Sequence, residues 1–186
     1  MGDLISFEGN AQGYRFLISK SLQLTYPVLG AFSKYPCGSM CVHSKENRIS
    51  QKKYGYFQSE KDRFTEMANA LGLTHMNVNE QSWCRYPLAF LVEAADDICY
   101  HIIDLEDGCT LGFVNEETTT SLLKEIISNE FDVKKYKKIP TGQQRIGLLR
   151  AMTINKLVSQ AAATFFENEP EILKGKFDSP LKAYSF

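Results

Sequence analysis

The sequence has no surplus of charge. Its 21 Lys and Arg stand against 22 Asp and Glu, a formal net charge of −1. That balance argues against a generic nucleic-acid or membrane-surface protein, although a local basic cluster can still grip phosphates. No apolar run approaches the roughly 20 residues of a membrane span, and no signal peptide is recognisable at the start. There is no glycine-rich phosphate loop of the P-loop or dinucleotide type, no local Ser-His-Asp signature and no internal repeat. The five cysteines (Cys37, Cys41, Cys84, Cys99, Cys109) are an odd number scattered along the chain. They read as reduced thiols of a cytoplasmic protein. Cys37, Cys41 and His43 lie close together, but a zinc site lacks its second ligand pair, since His75 is isolated.

What is present suffices for a core. A chain of 186 residues, 44% of them apolar, can bury roughly 70% of its unfolded surface as one domain spanning residues 1–186. The spacing predicts six to seven helices and no strand, an all-α class. Asn10 is read as an N-cap, and Ala11, Tyr14, Leu17, Ile18 and Leu22 as a helical stripe reaching about Leu24. Pro27 opens a short helix from Val28 to about Ser33. Ser59 and Asp62 resemble a capping box before a helix that Gly72 stops. Asn77 to Trp83 reads as polar connection. Glu116 to Ile127 is a helix with acidic residues in its first turn. Phe131 to Thr141 is a basic turn. Arg145 to about Asn168 is the longest helix, with Pro170 beyond it.

The organising stretch is Pro87 to Gly108, PLAFLVEAADDICYHIIDLEDG. Proline suits a first helical turn and glycine a stop. Leu91, Ala95, Ile98, Ile102 and Leu105 mark the expected buried stripe. Asp96, Tyr100 and Asp104, spaced by four, fan over roughly 80° of the opposite face. With Glu93 and Asp97 that face gathers carboxylates around a phenol, and could hold a divalent cation and sugar hydroxyls. A solvated helix face accounts for the same spacing.

Lys34 to Tyr56 reads as a long basic loop, holding five Lys or Arg, three Ser and two Gly. Loops of this length inside a domain tend to be functional or mobile. Lys34-Tyr35-Pro36 and Lys52-Lys53-Tyr54-Gly55-Tyr56 interleave cations and rings, which can serve phosphates and a base or sugar. From composition alone, an exposed basic loop without a ligand is the simpler account.

Taken together, Phe7 to Gln12 (FEGNAQ), Lys34-Tyr35-Pro36, Lys53-Tyr54-Gly55-Tyr56 and the EAADDICY and DLED strings of Pro87 to Gly108 occur in a characteristic order. The sequence resembles the deoxyguanosine triphosphate triphosphohydrolases of the HD superfamily. Arg150 to Leu157 and Asn168 to Phe177 look like that family's C-terminal helices, so the resemblance covers nearly the whole chain. It implies a multi-helix HD-domain-like array, present in part. It further implies homo-oligomers and metal-dependent hydrolysis of a deoxynucleoside triphosphate to deoxynucleoside and triphosphate, with magnesium or manganese.

Residue by residue, the resemblance makes Asp96 the distal metal aspartate, Tyr100 the ring on the sugar and Asp104 the carboxylate at the 3′-hydroxyl. Lys34, Tyr35 and Lys53 match residues lining the triphosphate, and Asn10 an asparagine near the same phosphates. The family's first histidine, His-Asp pair and catalytic acid/base residues lie upstream of FEGNAQ. Here six residues precede Phe7, and none of the three histidines is followed by aspartate. The expectation is therefore the middle and rear of such an enzyme, inactive or nearly so in isolation. The alternatives are a non-catalytic deoxynucleotide-binding or interaction module, and a phosphodiesterase of the wider superfamily.

Overall fold

The computed structural model describes Asp3 and residues 7–19, 22–41, 48–77, 82–128 and 136–181. Among these are six α-helices and one short hairpin. The chain divides into two units, Met1–Glu93 with Phe165–Leu181, and Ala94–Thr164. His43 lies outside the described residues, as do residues 131–135 of the basic turn.

In the first unit, α1 (Gly9–Leu17) starts under Glu8, whose carboxylate accepts the Asn10 backbone N–H at 3.1 Å. The cap is thus Glu8 rather than Asn10, which sits in the first turn and donates its Nδ2 to the same oxygen at 2.5 Å. The helix ends at Leu17, short of Leu24, and Leu22 is exposed. Helix α2 (Tyr26–Phe32) carries Pro27 in its first turn, as a proline there costs no hydrogen bond. A 3₁₀ turn, Gln58–Glu60, leads into α3 (Lys61–Ala70), which stops at Gly72 as expected. Ser59 is no cap: its hydroxyl donates to Glu60 at 2.8 Å and accepts from Arg15 at 2.9 Å. Beyond it β1 (His75–Asn77) pairs antiparallel with β2 (Ser82–Trp83), His75 opposite Trp83. Two such short strands show no alternation in sequence, so this stretch read as plain connection.

Phe64 is the hub of the first unit's core. Its ring stacks on Tyr56 at 4.2 Å and tilts against Tyr14 at 5.1 Å and Trp83 at 5.5 Å. Leu29, Met67 and Ala68 close the cluster. A second cluster joins Ala11 of α1 to Cys37, Cys41, Tyr54 and Phe57. The basic stretch from Lys34 to Tyr56 is therefore core-forming over its described residues: Tyr35, Cys37, Tyr54 and Tyr56 are all buried. Its rings, read from sequence as a wall for a ligand, are largely spent on packing, because aromatic burial outweighs what an exposed ring contributes.

Helix α4 (Pro87–Thr110) runs past Gly108, which is helical, and ends instead at Gly112. There a left-handed φ of 80° lets Phe113 N–H reach back to Gly108 O at 2.8 Å. In the second unit Ile98 and Ile102 of α4 are buried as the stripe predicts, whereas Ala95 is exposed and Ala94 buried. Helix α5 (Glu116–Ile127) is capped by Asn115, which accepts from Thr118 N–H at 2.8 Å, with Glu116 and Glu117 in the first turn. Helix α6 (Gly142–Leu173) contains Pro170 rather than ending before it. Leu123, Ile127, Leu149 and Leu157 bury the apolar faces of α5 and α6. No helix among the described residues is long and apolar enough to cross a membrane.

Candidate functional site

Three of the sequence strings converge in the first unit. Ala11, one residue beyond Asn10, packs with Cys37 and Tyr54. Those two in turn flank the Lys34-Tyr35 and Lys53 positions. Two hydrogen bonds fix the convergence: Gly55 N–H donates to Cys37 O at 2.9 Å, and the Cys37 thiol donates to Lys53 O at 3.1 Å. Cys37 is thus a satisfied core thiol, and none of the five cysteines forms a disulfide.

Gly55 matters here for space. A Cβ at this position would collide with the carbonyl oxygen of Tyr35, so only glycine lets the two basic segments lie against each other. Lys53 is exposed, Asn10 half-buried, and Tyr35 only 7% exposed. Burial, and then the Asp3 carboxylate, push the Tyr54 phenol above its ordinary pKa.

Lys34 is not a loose surface cation. Its ammonium lies 2.9 Å from Glu93 Oε1 and 5.9 Å from the centre of the Tyr35 ring. Glu93 is buried, 6% exposed, and its other oxygen accepts from Arg85 Nη1 at 2.8 Å. Arg85, 3% exposed, also donates Nε to the Lys34 carbonyl at 2.9 Å. Its guanidinium sits 5.3 Å from the centre of the Phe90 ring. Glu93 therefore does not join the exposed carboxylate face on which the sequence reading placed it. A carboxylate flanked by buried Ala89, Phe90 and Ala94 must be paired, and Arg85 and Lys34 pair it. Sequence reasoning missed Arg85 altogether. The available signal was Glu93 itself, the single charge between Pro87 and Ala95.

In the second unit the face spaced by four is on α4 as expected. Asp96, Asp97, Tyr100 and Asp104 are exposed, Tyr100 at 66%. His101 is exposed as well, with its ring 5.9 Å from that of Tyr100. Two carboxylates bracketing a phenol can accept from hydroxyls while the ring covers an apolar sugar face. Among the described residues no group of three or more His, Cys, Asp or Glu could hold a metal ion. The described residues do not by themselves make a metal centre, to which Asp96 could contribute one ligand.

Comparison with known proteins bears out the resemblance. A "deoxyguanosinetriphosphate triphosphohydrolase-like protein" of Synechocystis sp. is 42% identical over 189 residues, covering 96% of this chain and 42% of that protein. A Pseudomonas aeruginosa protein of the same name is 31% identical, with the same coverage. A protein of Enterobacter sp. named deoxyguanosinetriphosphate triphosphohydrolase is 32% identical, over 96% of this chain and 38% of that protein. The chain thus spans about two fifths of the length of the curated relatives it matches. No family model matches the chain.

Proposed function

Because the chain is a relative of deoxyguanosinetriphosphate triphosphohydrolase-like proteins across 96% of its length, we propose that it serves the hydrolysis of deoxynucleoside triphosphates to deoxynucleoside and triphosphate. In this reading it supplies the sugar- and phosphate-facing part of an HD-type site. The observation that carries it is the agreement between two independent readings of α4. Helical spacing alone puts Asp96, Tyr100 and Asp104 on one exposed face, and the resemblance assigns those same residues to metal, sugar and 3′-hydroxyl.

Asn10, Lys34 and Lys53 are the phosphate-facing groups, with Tyr35 packed beneath Lys34. Tyr100 covers the sugar and excludes a 2′-hydroxyl, since a buried hydroxyl without a partner costs about 1–3 kcal/mol. Asp104 accepts from the 3′-hydroxyl. A divalent cation, magnesium or manganese, belongs to this reading only with ligands from beyond the described residues. The isolated chain is accordingly expected to release no, or nearly no, triphosphate from dGTP with manganese, and robust turnover would overturn that part.

Sugar selection is tested by titrating dGTP, GTP and 3′-deoxy-GTP into wild type, Tyr100→Ala and Asp104→Ala. Tyr100→Ala narrows the preference of dGTP over GTP. Asp104→Ala weakens every ligand with a 3′-hydroxyl and affects 3′-deoxy-GTP least. An unchanged dGTP-to-GTP ratio in Tyr100→Ala would remove the sugar role.

A second reading, a deoxynucleotide-binding module without turnover, rests on the phosphate-side lysines Lys34 and Lys53. It differs in predicting no turnover from any longer form of the protein. Triphosphate release from dGTP by such a form decides between the two.

A further inference from the structure

We infer that Arg85 and Glu93 are positioning residues that hold the Lys34 ammonium ready for a polyphosphate. The inference rests on the assignment of Lys34 to phosphate.

Its basis is the way Arg85 grips Lys34 at both ends. Nε donates to the Lys34 carbonyl at 2.9 Å, which fixes the main chain. Nη1 donates to Glu93 Oε2 at 2.8 Å, and Glu93 Oε1 meets the Lys34 ammonium at 2.9 Å, which fixes the tip. A lysine side chain ordinarily spreads over many rotamers, and ordering it on binding costs affinity. Here that ordering is present before any ligand arrives. The clamp is buried where it must be rigid, with Arg85 and Glu93 side chains 1% and 5% exposed. It is open where it must act, with the Lys34 side chain 28% exposed.

The planar guanidinium is what makes the double grip possible. Two of its nitrogens serve two different acceptors at fixed angles, which an ammonium cannot imitate. The remaining nitrogen, Nη2, is buried and has no hydrogen-bond partner among the described residues. The cluster pairs two cations, Arg85 and Lys34, with the single carboxylate of Glu93, an excess of one positive charge that an anionic ligand balances. A purely structural ion pair would need Arg85 and Glu93 alone. Lys34, whose side chain is partly exposed, adds little to such a pair and much to an anion site.

The test is lysine acylation of the 186-residue chain with and without inorganic tripolyphosphate, read at each lysine by mass spectrometry. It compares wild type with Glu93→Gln and Arg85→Lys. In wild type, saturating tripolyphosphate slows acylation of Lys34 by roughly tenfold, the scale of one charge-assisted hydrogen bond. In both variants Lys34 reacts faster without ligand and its protection is lost, while protection of Lys53 persists. A merely destabilising effect would erase both.

Equal protection of Lys34 in wild type and variants would overturn the clamp and leave the phosphate role of Lys34 standing. No protection of Lys34 in wild type would refute the phosphate role, and the clamp's purpose with it. Circular dichroism verifies folding. If Glu93→Gln fails to fold, the charge-conserving Arg85→Lys carries the comparison.

Discussion

Adding one methyl group at Gly55 or at Gly147 is expected to change stability in opposite directions. At Gly55 the new Cβ meets the Tyr35 carbonyl oxygen, a backbone atom with no side-chain freedom to retreat. The two segments must separate, at an overpacking cost of about 1–3 kcal/mol. Separation also strains the Gly55 N–H to Cys37 O bond, now 2.9 Å, whose loss adds about 1 kcal/mol. Gly55→Ala is thus destabilising by about 2–4 kcal/mol, a large part of the ~5–15 kcal/mol that holds a domain folded.

At Gly147, inside α6, a Cβ meets nothing within 4 Å. There the same substitution gains about 0.8–1 kcal/mol from helix propensity. Urea unfolding followed by far-ultraviolet circular dichroism measures both, with the slope checked for constancy. A Gly55→Ala midpoint at or above that of wild type would show that the two basic segments do not depend on their close approach. The phosphate-side geometry built upon it would then have to be redrawn.

Phe64→Ala removes a fully buried ring with three aromatic neighbours. It is expected to cost about 3–5 kcal/mol, and a loss under 1 kcal/mol in urea unfolding would demote Phe64 from its central place. Alkali should unfold the first unit, because burial pushes the Tyr14 and Tyr56 phenols well up. Such groups contribute stability fully below the ordinary phenol pKa of about 10 and lose it as pH rises through the raised values. Tyr14→Phe removes one of these titrations and a buried hydroxyl without a partner. Its alkaline unfolding midpoint, followed by circular dichroism, should therefore move up, and a downward move would contradict the sign.

Helical periodicity carried most of the fold. Glu116–Ile127 and the body of Pro87–Thr110 follow from spacing and caps alone. Some misses arise because the deciding interaction lies outside the local window, others because two local signals compete. Ala94 and Ala95 are equally apolar, and only tertiary packing decides which is buried. Gly108 could have ended α4, but Gly112 four residues on takes the left-handed turn.

Pro170 lies within α6, which continues for three more residues, to Leu173. On the site side, the exposed face of α4 was legible because it depends on the helix repeat. The Arg85–Glu93–Lys34 cluster was not. Lys34 and Arg85 are 51 positions apart and meet through a backbone carbonyl, which no side-chain pattern announces.

The burial of Tyr35, Cys37, Tyr54, Tyr56 and Phe57 in the segment from Lys34 to Phe57 has a consequence for motion. Its described residues contain one 3₁₀ turn, Ile49–Gln51, and no long helix or strand. By secondary structure alone it would be the first part to open. Yet Tyr56 is stacked on Phe64, Trp83 N–H donates to Pro36 O at 3.0 Å, and Gly55 N–H donates to Cys37 O. Opening any of these means parting the aromatic core. Amide protons of Cys37, Gly55 and Trp83 should exchange with solvent only through the unit's global unfolding, on the timescale of α3 rather than of a loop. The irregular segment and the core are one cooperative element, so a ligand that grips Lys34 or Lys53 slows exchange throughout the unit.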